Sequence, residues 1–419
     1  MSLLIRNVML NGMKRDIYIE GNIIEDIDER IKIRADKVID GKNKAAIPGF
    51  VNAHTHAAMT LFRGYGDDME LHEWLQNKIW PAEAKLTEKD VYWGTKLACL
   101  EMIKSGTTTF NDQYWFMKGT ARAVNEMGLR AVLAEAFIDL FQREMAEKSI
   151  RNTKRFVRFI DSMNNDRISA AIGPHAIYSV SKECLQWVRE FSEKNNLLIH
   201  FHLSETNEEN GICKRKYGKR PVEYLEEIGF LGDNLIAAHC VWLNKRDIKI
   251  LSRYNVKIVH NPTSNMKLSV GGFFDYKGIR SEGLIVSLGT DGCASNNNLD
   301  MFEEMKFAAV AQKGFKNDPT IMSALETFKM ATEYGAKTLG INAGKIEIGK
   351  LADIALIDLK RPEMLPMHNL VSNLVYSANG SCVDTLICNG EVLMENRKVE
   401  GEEEILEKAE DIAFNLISR

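Results

Sequence analysis

The strongest constraint on this chain of 419 residues is a set of eight short apolar runs, rich in β-branched residues, each closing on polar side chains. They occupy residues 47–56, 106–113, 130–139, 168–175, 197–205, 235–241, 256–261 and 284–291. Amphipathic segments of helical period lie between them. One is 87–104, opened by the cap-like Thr87-Glu-Lys-Asp90, and another is 181–196, with Ser181 as candidate N-cap. Short strands alternating with helices predict βα units around a parallel sheet, and eight such units predict a (β/α)8 TIM barrel of the α/β class rather than an open sheet. In such a barrel the C-terminal strand ends converge on one mouth, where chemistry is expected.

The two ends of the chain have a different rhythm. Short β-like runs at 3–10, 17–20 and 23–27 are punctuated by Asn11-Gly12 and Gly21-Asn22, which are hairpin signals. Matching runs at 352–359 and 383–394 carry the Asn389-Gly390 turn. The expectation is a small β-sandwich domain built from both termini, residues 1–48 and 345–419, with a terminal helix, around a barrel spanning 49–344. The net charge of -4, without a basic stripe, offers no general attraction for nucleic acid or an anionic membrane. No stretch approaches the roughly 20 apolar residues needed to span a bilayer, and Met-Ser-Leu-Leu-Ile-Arg is too short and too soon charged for a signal peptide. A cytoplasmic protein with small-molecule partners is expected. The seven cysteines are scattered without a C-x-x-C pair, so they are expected to be reduced and buried, forming neither a disulfide framework nor a zinc ribbon.

The histidines fall where the barrel mouth should be. His54 and His56 end the first run, His175 the fourth, His202 the fifth and His239 the sixth; His260 lies in the seventh and Asp291 ends the eighth, while His72 and His368 lie away from strands. His54-Thr-His56 puts two imidazoles on one strand face, a separation at which both can bind one ion. Alone the pair is a weak signal. With a third histidine and Asp291 it becomes a three-nitrogen, one-oxygen set suited to zinc or ferrous iron, with room for water. Spacing does not separate His200 from His202, since both face inward; His202 is preferred as ligand because it lies nearer the mouth and precedes Glu205, leaving His200 as a packed, hydrogen-bonded residue beneath it. Glu205 is a candidate general acid and His239 a candidate partner of the attacking water. His260, followed by Asn261-Pro262, reads as structural.

These motifs resemble a known family. Pro48-Gly-Phe-Val-Asn-Ala-His54-Thr-His56, His202-Leu-Ser-Glu205-Thr, Ala238-His239-Cys, His260-Asn-Pro-Thr-Ser-Asn265 and Leu288-Gly-Thr-Asp291-Gly are similar to the deaminase branch of the amidohydrolase superfamily. Thr60-Leu-Phe-Arg63-Gly, Glu73-Trp-Leu and Trp80-Pro-Ala-Glu83 narrow the resemblance to 5'-methylthioadenosine/S-adenosylhomocysteine deaminases and the similar 5'-deoxyadenosine deaminases; Lys350-Leu-Ala-Asp353 extends it nearly end to end. The resemblance implies one divalent ion per subunit, zinc or alternatively iron, held by His54, His56, His202 and Asp291. It further implies ring protonation by Glu205, a water steadied by His239, ribose hydroxyls on Glu83, nucleoside contact by His175, and a homo-oligomer. The bridging lysine of dinuclear relatives is missing from Ile168-Ser-Ala-Ala-Ile-Gly-Pro-His175, which favours one metal.

The chemistry suits these residue types. Hydrolytic deamination at C6 of adenine needs hydroxide at neutral pH, and a zinc-like ion lowers the pKa of bound water to about 7. Asp291 would take the water proton and later return it to departing ammonia, giving the inosine analogue. The rival readings are a guanine or aminotriazine deaminase or hydrolase on the same scaffold, and a nucleoside-binding barrel without catalysis. Glu135 matches the place where homocysteine-handling relatives use an arginine, which predicts a preference for short, uncharged 5' substituents; the alternative is that Glu135 only pairs with a neighbouring helix. Arg63 reads equally well as a structural ion-pair partner.

Overall fold

The computed structural model describes residues 2–69 and 71–419; the side chains of Leu71 and His72 lie outside the described residues. Seven parallel strands, Phe50–His56, Thr107–Tyr114, Arg130–Phe137, Ile168–Pro174, Leu198–Leu203, Leu235–His239 and Lys257–His260, run side by side in chain order. The eighth comes in two pieces. Val286–Leu288 pairs with strand seven, and Asp291–Gly292 pairs with strand one through Asp291↔Thr55 and Gly292↔His56, which closes the barrel. Glycine is required at the break, because a Cβ on Gly289 would lie 2.7 Å from both the His54 carbonyl and Asn261 Oδ1. Asn52 ties the next residue down: its Oδ1 accepts from the Thr290 N–H at 3.1 Å and its Nδ2 donates to Thr290 Oγ1 at 2.7 Å.

Strand alternation sorts the barrel's side chains. Val132 and Ala134 turn inward with Ala171, Ile236 and Val259 in one buried cluster, whereas Leu133 and Phe137 join the larger cluster beneath the helices. A register shift between Asn52 and Thr55 interrupts the alternation of strand one, so that Val51 and Ala53 join the inner cluster low in the barrel while His54 and His56 face the mouth. The helices begin where their caps say. Thr87 and Asp90 form a capping box for Glu88–Lys104, and Ser181 Oγ accepts from the Cys184 N–H ahead of Lys182–Asn195.

The terminal segments pair as expected. Five strands from the N-terminal part and three from the C-terminal part form one eight-stranded mixed sheet, joined where Lys44–Pro48 runs antiparallel to Ile354–Asp358. Asn11-Gly12 and Asn389-Gly390 take the left-handed conformations that tight hairpins need. Its own apolar cluster, including Leu3, Ile5, Ile19, Ile354 and Leu356, is buried. Asp353, from the Lys350-Leu-Ala-Asp353 motif, locks sheet to barrel: its carboxylate stands 3.2 Å from buried Arg130 at the start of strand three and accepts from the Asn389 N–H at 2.7 Å. All seven cysteines are free and buried. Among the described residues, no helix is long and apolar enough to cross a membrane.

Candidate active site

At the barrel mouth, imidazoles from strands one, five and six meet the carboxylate of Asp291. His54 Nε2 and His56 Nε2 lie 3.3 and 3.2 Å from Asp291 Oδ1, and His56 Nε2 lies 3.4 Å from His202 Nε2. Donor atoms of His54, His56 and Asp291 fall within 4.8 Å of one another, as do those of His54, His202 and His239. The outer nitrogens are committed elsewhere. His56 Nδ1 donates to the Gln113 carbonyl at 2.6 Å, His202 Nδ1 to the His175 carbonyl at 3.1 Å, and His239 Nδ1 to Asn265 Oδ1 at 2.8 Å, while His54 Nδ1 and His200 Nε2 share a hydrogen bond of 2.6 Å. In each neutral ring whose Nδ1 donates, the Nε2 lone pair is left facing the centre.

This donor set fits a zinc-sized cation. Arms of about 2.0–2.1 Å imply donor–donor edges of about 3.3–3.4 Å, which the measured separations match. His54 Nε2 is buried and, with Asp291 Oδ1 3.3 Å away, makes no hydrogen bond of good geometry, a gap that a cation between the two would fill. Burial pushes the His54 imidazole down to about 4 and His202 well below its usual value, keeping both in the neutral, ligating form. Burial raises Asp291, but the adjacent imidazoles of His54 and His56 outweigh it and hold the carboxyl well below the ordinary range. His56 goes the other way: burial lowers it, yet Asp291 lifts it to about 9, so this ring must release its proton to bind a cation. Ser264 and Ser295 clamp Asp291 Oδ2 at 2.6 and 3.0 Å.

The backbone is strained where these groups converge. Ser204, His239 and Asp291 all have left-handed φ, at 50°, 71° and 60°, conformations that non-glycine residues keep only when their surroundings enforce them. The effect is to turn the strand ends over the mouth. Glu205 Oε2 comes within 3.9 Å of His239 Nε2, and burial raises its carboxyl. His175 shares a 2.8 Å hydrogen bond with Ser179 Oγ, its ring centroid is 5.0 Å from that of His202, and burial holds it neutral at about 4. Glu83, at the end of the short helix Trp80–Glu83, accepts from Tyr114 Oη at 2.7 Å, and burial raises it too.

Of the remaining sequence candidates, His200 lies fully buried behind His54, His260 stacks on Phe274 with ring centroids 4.0 Å apart, and Arg63 pairs with Glu101. Glu135 follows the outward parity of Leu133 and Phe137; it accepts from the Met117 N–H at 3.0 Å, at the start of helix Met117–Met127. It therefore meets the neighbouring helix, as the second sequence reading has it, but through a backbone N–H. Residues that sequence reasoning missed are Asn265, Ser264, Ser295 and Tyr114. The first two sit inside the Asn-Pro-Thr-Ser-Asn265 stretch, which was visible as a motif, whereas Ser295 and Tyr114 carry no sequence signal of their contacts.

A parallel barrel with this cluster at its mouth stands among the metal-dependent barrel hydrolases. The model of the Amidohydrolase family matches residues 45–393, and the chain belongs to that family. It is 50% identical over 415 residues to a 5'-deoxyadenosine deaminase of Methanocaldococcus jannaschii, covering 98% of each chain. It is also 50% identical over 404 residues, 96% of this chain and 95% of the relative, to 5-methylthioadenosine/S-adenosylhomocysteine deaminase 1 of Archaeoglobus fulgidus. The crystal structure of an adenosine deaminase from Xanthomonas campestris with bound zinc superposes with a TM-score of 0.94 at 31% identity, covering 100% of this chain and 98% of that one.

Proposed function

We propose that this chain hydrolytically deaminates 5'-modified adenosines to the inosine analogue and ammonia, with 5'-deoxyadenosine and 5'-methylthioadenosine preferred over S-adenosylhomocysteine. The observation that carries the reading is the convergence of four inward Nε2 atoms and Asp291, with Glu205 beside His239 and the buried Glu83 held by Tyr114. His54, His56, His202 and Asp291 would hold one divalent ion, zinc or alternatively iron, which would supply the Lewis acidity needed to make water nucleophilic at neutral pH.

This chain's own residues do the rest. His239, its Nδ1–H fixed on Asn265, presents a bare Nε2 that accepts a hydrogen bond from the attacking water. Asp291 takes the proton that the water loses as its oxygen bonds to C6. Glu205, whose carboxyl burial raises, delivers a proton to the ring nitrogen, so the electron pair displaced from the ring is neutralised. When the C6–N bond breaks, the proton on Asp291 leaves with ammonia, and the proton left on the C6 hydroxyl passes back to Glu205, which forms the carbonyl of the product and restores the acid. Glu83 accepts from the ribose hydroxyls, which favours nucleosides over free bases, and His175 lines the nucleoside side.

Selectivity at the 5' end follows from what surrounds the mouth. Leu140 and Phe141, just past strand three, and Tyr178 beside His175 are large exposed apolar groups. Of the cations on the helix Arg143–Met163, Arg143 and Arg151 both pair with Glu147, and Lys154 lies over the Trp187 ring. Side-by-side kcat/KM values for adenosine, 5'-deoxyadenosine, 5'-methylthioadenosine, S-adenosylhomocysteine, guanine and an aminotriazine test the reading. A higher value for S-adenosylhomocysteine than for 5'-deoxyadenosine removes the selectivity; turnover of guanine or the triazine alone, or none by metal-loaded protein, removes the function. The same reading makes the protein a cytoplasmic homo-oligomer, which fractionation and sedimentation test.

A further inference from the structure

Thr206-Asn-Glu-Glu209 has the pattern of a capping box at the start of helix Asn207–Tyr217. Half of the box is present, since Thr206 Oγ1 accepts from the Glu209 N–H at 3.3 Å. In the other half, the third helical residue should return its carboxylate to the N–H of the cap itself. Asp90 does this to Thr87, and Asp247 to Asn244, each at 2.9 Å. Glu209 does not. Its Oε2 reaches past the cap to the Glu205 N–H at 3.1 Å. Ser204 is the left-handed residue that turns the chain between His202 and Glu205.

The arrangement is an expensive one for stability alone. Glu209 is 2% exposed, burial pushes its carboxyl up to about 8, and its Oε1 is buried without a hydrogen-bond partner. An ordinary capping box would have satisfied the helix without entering the turn. What the detour secures is the backbone of Glu205, whose side chain stands 3.9 Å from His239. We infer that Glu209 is a positioning residue, which clamps the left-handed Ser204–Glu205 turn and so holds the Glu205 carboxyl over the reacting ring. The inference rests on Glu205 being the acid that protonates the substrate.

Two substitutions separate the acceptor from its volume. Glu209→Met fills the space without an acceptor, and Glu209→Gln keeps one. On 5'-deoxyadenosine, Glu209→Met should lower kcat by about 10- to 100-fold, the scale of a misplaced proton donor, with KM within about threefold and metal content unchanged. Glu209→Gln should stay within about threefold of wild type. In a Glu205→Gln background, Glu209→Met should cost less than about twofold, because what it positions is already disabled. Multiplicative losses in the double variant overturn the inference, as does a Glu209→Gln enzyme as slow as Glu209→Met. If Glu205→Gln is impaired and Glu209→Met is not, the clamp is wrong and the acid stands; if Glu205→Gln keeps near-normal kcat, the acid itself is wrong. Should Glu209→Met fail to fold or to hold metal, Glu209→Asp, too short to reach the turn, is read against Glu209→Gln with the same expected gap, and equal rates overturn the inference.

Discussion

His200 and His202 lie two residues apart on one strand, and removing each should damage the metal centre to a different degree. His202 Nε2 points into the cluster, 3.4 Å from His56 Nε2, whereas His200 Nε2 is spent on His54 Nδ1 at 2.6 Å. A four-ligand zinc site has an apparent binding free energy of about 10–16 kcal/mol. A quarter share is about 2.5–4 kcal/mol, so His202→Ala should weaken zinc binding by about 100- to 1,000-fold. His200→Ala leaves the ligands in place but frees the His54 ring, and loss of such an outer partner costs about 10- to 100-fold. It should also lower the melting temperature, because a fully buried side chain leaves a cavity. Titration of the metal-free variants with zinc against a competing chelator at fixed pH reads both constants. An affinity lost as completely in His200→Ala as in His202→Ala, or more so, would refute the assignment and make His200 the ligand.

Chelation should abolish activity, and zinc or a similar ion should restore it at one equivalent per chain, a count that elemental analysis checks; two per active chain would refute a single centre. Glu205→Gln and Asp291→Asn should each lower kcat by at least about 100-fold, and Glu205→Gln should still bind substrate. The Glu205 acid works in its protonated form, so kcat should fall as pH rises through its burial-raised pKa, and a pH profile of the wild type unchanged by Glu205→Gln would contradict this. Glu304, buried between the Thr263 N–H and Asn296, is pushed by burial from 4.5 to about 8. The folded state then holds a proton that the unfolded chain has lost, so stability is fully present below pH 4.5 and declines by up to about 1.4 kcal/mol per pH unit until about pH 8; urea melts across that window should flatten in Glu304→Gln by about one proton. Glu135→Arg places a cation at a helix N-terminus and should cost about 1–2 kcal/mol, with no gain on S-adenosylhomocysteine; a stable variant that gains that activity would show the side chain facing the pocket.

The sequence by itself determined the architecture, because the period of apolar residues is set by local backbone geometry and survives in one dimension. Eight strand-like runs with helical spacers read as a barrel, and the hairpin turns at both ends read as a terminal sheet. It also marked the residues that chemistry needs, since imidazoles and carboxylates at strand ends are rare enough to stand out. Tertiary structure alone decided which way each side chain turns. The register shift in strand one and the left-handed Ser204, His239 and Asp291 re-aim side chains against the simple alternation of a strand, and none has a local sequence cause. The same holds for the partners of the site. Asn265 on His239, Tyr114 on Glu83 and Glu209 on the Glu205 backbone are contacts between segments or past an expected cap, fixed by packing rather than by spacing. Glu135 shows the limit most directly: the resemblance matched it to a substrate position, and in the fold it accepts from the N–H at a helix start.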